Sequence, residues 1–110
     1  MTPTDYCVVL ITASGQDEAA RIAEAIVAEK LAACVNIVPA VQSVYMWKGT
    51  VERDQEALLV VKTSRARFER LAARVTELHS YDVPEVIALD VEQSSLPYAV
   101  FLADALGEGA

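Results

Sequence analysis

Ala33-Cys34-Val35-Asn36-Ile37-Val38-Pro39-Ala40-Val41-Gln42-Ser43-Val44-Tyr45-Met46-Trp47 runs, rich in apolar residues, into Lys48-Gly49, and Thr50 to Lys62 answers it as a second strand pattern. The two arms read as a β-hairpin too long for the body that carries it. A strand rises about 3.3 Å per residue, so fourteen residues reach roughly 46 Å, whereas a compact domain of about 100 residues has a radius of gyration near 13 Å. The far end must project. It carries Tyr45 and Trp47, the only tryptophan, and these residue types anchor protein contacts. The tip is therefore expected to pack on another subunit. Pro39, near the middle of the first arm, removes a ladder donor and predicts an edge strand or a bulge there.

Working outward, Tyr6 to Ile11 is short, continuous and β-branched, which fits a central strand. Ser14, with Asp17 three residues on, predicts a helix cap, and Ala19, Ile22, Ala23, Ile26 and Val27 share one face of a helix ending near Lys30. Beyond the hairpin, Ser64 predicts the cap of a second helix with Phe68, Leu71, Ala72, Val75 and Leu78 as its buried stripe, ending around His79. Val86 to Leu89 is the last strand. Ser94 or Ser95 with Pro97 opens a short C-terminal helix carrying Tyr98, Phe101, Leu102 and Leu106. This order is the split βαβ, ferredoxin-like plan of the α+β class, with a long β-hairpin and a short C-terminal helix. Its helices cover one face of an antiparallel sheet, so the other should alternate with polar residues if it met water. Val8 to Ile11 and Ala57 to Val61 are apolar on both faces instead. Copies of the same chain are the simplest cover, which predicts a homo-oligomer.

The 110 residues read as one domain, residues 1–110, with a 54% hydrophobic fraction that is high for so short a chain. No uninterrupted apolar run approaches the roughly 18 residues of a membrane span, and the excess is assigned to an interface. No Lys or Arg precedes Arg21, so the basic start of a signal peptide is missing and a cytoplasmic location is expected. A net charge of -7 argues against nucleic acid and makes cations the more natural small partners. Cys7 and Cys34 fall inside expected strands without CxxC spacing and read as reduced, buried thiols. With one histidine, no Ser/His/Asp set and no metal-binding His pair can be drawn, so no catalytic residues are assigned.

Four separated motifs carry a resemblance that covers about Val8 to Leu106: Lys30 to Ile37, Tyr45 to Gly49, Leu59 to Thr63 and His79 to Glu85. In order and spacing the chain resembles the CutA divalent-cation-tolerance family. It departs from the family's usual residues at Ala40, Ser80 and Phe101, and Ile11 stands where some members carry an extra cysteine. The resemblance implies a ferredoxin-like homotrimer akin in architecture to the PII signalling proteins, with sheets packed around the threefold axis. It further implies a link to metal tolerance and copper binding, with no firmly attached catalytic reaction; animal members are also linked to anchoring a membrane enzyme.

Under that expectation the candidate metal ligands are His79, with Asp82 or Glu85 beside it, and Cys34. Imidazole with carboxylate suits borderline divalent ions such as copper or zinc. Each has a plainer reading: His79 as a cation favoured by a helix C-terminus, and Cys34 as a small buried hydrophobe. The helix topology puts Cys34 and His79 at opposite ends of a subunit, so only a contact between chains could bring them to one ion. Arg65, Arg67, Arg70 and Arg74 read as a solvated helix face. The alternative is a PII-like anion site between subunits formed by Thr63, Ser64 and Arg65 at a helix start. A third reading is a trimeric scaffold for another protein.

Overall fold

The computed structural model describes residues 5–108. Strand β1 (Tyr6–Ala13) leads to helix α1 (Gln16–Ala28), then to β2 (Cys34–Trp47) and β3 (Thr50–Ser64). A 3-10 turn (Arg65–Arg67) opens into α2 (Phe68–Leu78), followed by β4 (Val86–Asp90) and α3 (Leu96–Ala105). The four strands form one antiparallel sheet in the order β2-β3-β1-β4. This is the expected split βαβ arrangement, with β2 and β4 at the edges.

The sheet is held in register by alternation. Val9, Ile11 and Ala13 of β1 and Ala57, Leu59 and Val61 of β3 are fully buried, and they pack against Ala19, Ile22 and Ile26 of α1 and Leu71 and Val75 of α2. A slip of one residue would turn this whole set to the other face, so the pairing of Val9 with Val61 and Ile11 with Leu59 is strongly specified. Tyr6 alternates with Cys7 and so points to the opposite face, where it clusters with Ala33, Leu102 and Leu106. Helix α3 thus covers one end of that face. The rest stays open: Ile87 and Leu89 are about half exposed, and Val38 is exposed too.

The hairpin projects as its length requires. The molecule measures 50 × 25 × 22 Å, with a Cα radius of gyration of 14.6 Å. Lys48 and Gly49 have φ of 50° and 80°, the pair of left-handed residues that a two-residue turn needs to match the strand twist, and Trp47 faces Thr50 across it. The register shifts between Val38 and Val41, so Pro39 lies in a bulge on an edge strand.

Local boundaries differ from expectation in three places. Ser14 does not cap α1; Gly15 is the cap residue in extended conformation, and Ser14 instead donates to Glu18. Helix α1 stops at Ala28, not near Lys30, because Lys30 turns left-handed at φ 58° and lets Leu31 and Ala32 return their N–H groups to the Ile26 carbonyl. Ser64 makes no side-chain cap bond, and α2 begins three residues later than expected, at Phe68, after the 3-10 turn. At α3 the choice between two serines falls on Ser95, which accepts from the Tyr98 N–H at 3.3 Å.

Candidate functional site

Two of the four buried polar side chains among the described residues, Glu18 and His79, meet where β1 ends, α1 begins and the segment after α2 turns back; the other two, Thr63 and Ser64, lie at the far end of β3 beside Cys7 and Tyr6. Glu18 stands in the first turn of α1 and is 4% exposed. Its Oε1 accepts from the Ser14 N–H at 2.9 Å and the Ser14 hydroxyl at 2.8 Å, while Oε2 accepts from the Ser80 N–H at 2.7 Å. Burial alone would raise its pKa. The hydrogen bonds from Ser14 and Ser80 overturn that and hold the carboxyl at about 2. Glu18 therefore ties the end of β1 and the start of α1 to the segment after α2.

His79 is buried beside it, with its side chain wholly enclosed. Its Nε2 lies 2.7 Å from the Thr12 carbonyl, and its Nδ1 lies 3.0 Å from the Tyr81 N–H. A carbonyl only accepts and an amide only donates, so the ring is neutral and carries its proton on Nε2. Both ring positions are thus in use, and the imidazole has no lone pair free for a metal ion. Tyr81 packs on the ring at 4.7 Å and donates its hydroxyl to Glu56 on β3 at 2.8 Å. Burial and the Glu56 carboxylate push this phenol far above its usual range.

Asp82 and Glu85 are exposed further along the same segment. Among the described residues, no three His, Cys, Asp or Glu side chains gather closely enough to hold a metal ion. Cys34 sits elsewhere. It pairs with Lys62, which pairs with Val8, four residues from the Thr12 that holds His79 and so roughly 13 Å away along β1. Cys34 is only half-buried, contrary to the expected buried thiol, and it neighbours the Tyr98 phenol, which burial and then the thiol raise in pKa. Cys7 is buried as expected. A single chain therefore does not bring the candidate ligands together.

The arginine row is less solvated than its spacing suggests. Arg67 donates to the carbonyls of Lys30 at 2.9 Å and Leu106 at 2.7 Å, and it pairs with Glu108 and Ser64, so one guanidinium closes the ends of α1 and α3 together. Arg74 forms a two-pronged pair with Glu29 at 3.0 to 3.2 Å. Arg65 lies 3.7 Å from Asp90. The Thr63 hydroxyl is spent on the Leu31 carbonyl at 2.6 Å. The shallow recess at this end is lined by Asp5, Ser64, Arg65, Ala66 and Glu108. With Asp5 and Glu108 beside the Arg65 guanidinium, the recess carries no surplus of positive charge to attract an anion.

At the projecting tip, Tyr45 and Trp47 are 41% and 60% exposed, with Val44, Met46 and Val51 also exposed around them. Tyr45 donates to Asp54, whose hydrogen bond pushes the phenol up to about 12. The Lys48 ammonium lies 5.6 Å over the Trp47 ring. Glu18, Glu56 and Tyr81 were not singled out by sequence. A glutamate in the first turn of α1 was the one available signal for Glu18; the other two meet only through the fold.

Comparison with known proteins agrees along nearly the whole chain. The family model described as CutA1 divalent ion tolerance protein matches residues 7–105. The divalent-cation tolerance protein CutA of Thermus thermophilus is 48% identical over 100 residues, covering 91% of this chain and 97% of its own. Protein CutA 1, chloroplastic, of Oryza sativa is 45% identical over 107 residues, of which this chain spans 60% of the length. The crystal structure of CutA1 from Oryza sativa superposes with a TM-score of 0.91 at 43% identity, covering 96% of each chain. The fold, the four matched motifs and these relatives lead to one conclusion: the chain belongs to the CutA1 divalent ion tolerance protein family.

Proposed function

We propose that the chain acts as a homotrimer in the tolerance of divalent cations, and that copper or a similar ion is held weakly by ligands drawn from more than one copy. The observation that carries this reading is the apolar surface a single chain leaves open, Val38, Ile87 and Leu89 on the sheet and Tyr45 and Trp47 on the hairpin. The names of the relatives support the role in divalent-cation tolerance. The net charge of -7 favours cations over anions as small partners.

Among the described residues of one chain no three His, Cys, Asp or Glu side chains gather, so an ion held in this way would draw on exposed side chains of more than one copy. Asp82 and Glu85 are exposed and free of the buried network, so they, not the His79 ring, are the carboxylates available to it. Calorimetric titration of the purified protein with Cu(II), Zn(II) and ATP tests this. Cu(II) heat that falls in the Asp82→Asn, Glu85→Gln double variant supports the reading. Heat unchanged in that variant but lost in Cys34→Ser would replace it with a thiol site, and heat from ATP alone would replace it with the metabolite reading.

A further inference from the structure

The network around His79 joins one neutral ring, one buried carboxylate and the backbone amides of Ser14, Ser80 and Tyr81, and the proposed role uses none of them. The Nδ1 lone pair holds the Tyr81 N–H at 3.0 Å. The Glu18 Oε2 lies 3.9 Å from the same nitrogen, too far for a hydrogen bond, and is occupied by the Ser80 N–H. Placing a proton on Nδ1 reverses the preference. The new N–H opposes the Tyr81 N–H, while the Glu18 carboxylate becomes the nearest acceptor and carries the opposite charge. Imidazole is the side chain whose charge ordinarily changes between pH 5 and 8.

We propose that His79 is an acid-operated latch on the Tyr81 amide: protonation of Nδ1 transfers the ring from that amide to the Glu18 carboxylate and frees the Tyr81 N–H, while the Ser80 amide and the Tyr81 hydroxyl keep their carboxylate partners. The groups that face the ring bear this out. From α1 comes Glu18, held ionised by its hydrogen bonds. From β1 comes only the Thr12 carbonyl, which keeps the Nε2 proton in either state. From β3 comes Glu56, reached through the Tyr81 hydroxyl. From the segment itself come the Tyr81 ring and the Ser80 amide. Both carboxylates favour the imidazolium, and the lost Tyr81 bond opposes it, so a small movement of the ring of about 1 Å decides which partner it keeps.

The test is an NMR titration of the labelled full chain from pH 8 to pH 5, following the nitrogens of the only histidine and the Tyr81 amide. At pH 8 the ring should be the Nε2–H tautomer, and on acidification the Tyr81 amide should shift with the same midpoint as the ring. In Glu18→Gln that midpoint should fall by about half a pH unit or more, because the charge that receives the imidazolium is gone. The wild-type titration decides the matter even if this variant folds poorly. A Tyr81 amide that stays fixed while the ring titrates, a ring that begins as the Nδ1–H tautomer, or a ring that takes no proton down to pH 5 would each overturn the latch.

Discussion

The two halves of β3 belong to one uninterrupted strand and live in different surroundings. From Ala57 to Thr63 its residues alternate between buried and half-buried, with Leu59 and Val61 sealed under the helices. From Thr50 to Glu56 none is buried, although the ladder to β2 continues to Trp47 and Thr50 at the turn. Backbone hydrogen bonds thus extend the strand well past the core, but they do not explain what its side chains are for. A two-stranded ribbon is marginal in water by itself. This one also exposes Val44, Tyr45, Met46, Trp47 and Val51. Apolar residues in the inner half stabilise the subunit, and those in the outer half are available to a neighbour.

The sharpest way to break this contrast is to cut into each half. Leu59→Ala removes a fully buried side chain and should cost about 2 to 5 kcal/mol, the usual range for such truncations. Chemical denaturation should find this loss whatever the protein concentration. Glu18→Gln should come next, with a cost on the order of 3 kcal/mol at neutral pH, taken from the distance between the ordinary carboxyl value of 4.5 and about 2 in the fold. A depressed carboxyl contributes stability above its unfolded value and loses it as pH falls through the folded one. The gap between wild type and variant should therefore close between about pH 4.5 and pH 2, as read by denaturation at a series of pH values.

Trp47→Ala should cost roughly 2 kcal/mol per site, and unlike Leu59→Ala its penalty should grow on dilution, because it weakens a contact between chains. Melting curves over a hundredfold range of concentration separate the two kinds of loss. The smallest effect expected is that of Arg74→Ala. Its pair with Glu29 is well formed, yet both side chains are partly exposed and screened by water, so thermal denaturation should show the smallest shift of the four variants.

Much of the fold was legible because it rests on periodicity. The apolar alternation of β1 and β3, the stripe of α1 and the Lys48-Gly49 turn each specify their element locally. The start of α3 was legible in Ser95 and Pro97, but those of α1 and α2 were not, because Ser14 and Ser64 are good cap residues whose hydroxyls found other partners, Glu18 and Arg67. The candidate site was read less well, for a physical reason. Whether His79 is a surface cation or a buried hydrogen-bond hub depends on Thr12 and Glu18, more than sixty residues away in sequence. The spacing of Arg67 gave no hint that it would bind the carbonyls of Lys30 and Leu106. What the sequence did signal was the surplus of apolar surface, since a projecting hairpin and a two-sided apolar sheet follow from strand length and alternation alone.

That surplus is tested most directly by the mass of the wild-type protein in solution, measured by light scattering coupled to size exclusion across a dilution series. A mass near three times the 11.9 kDa of one chain, persisting at micromolar concentration, is the expected result. A mass near 11.9 kDa at that concentration would contradict it, and Trp47, Ile87 and Leu89 would then face water on a monomer.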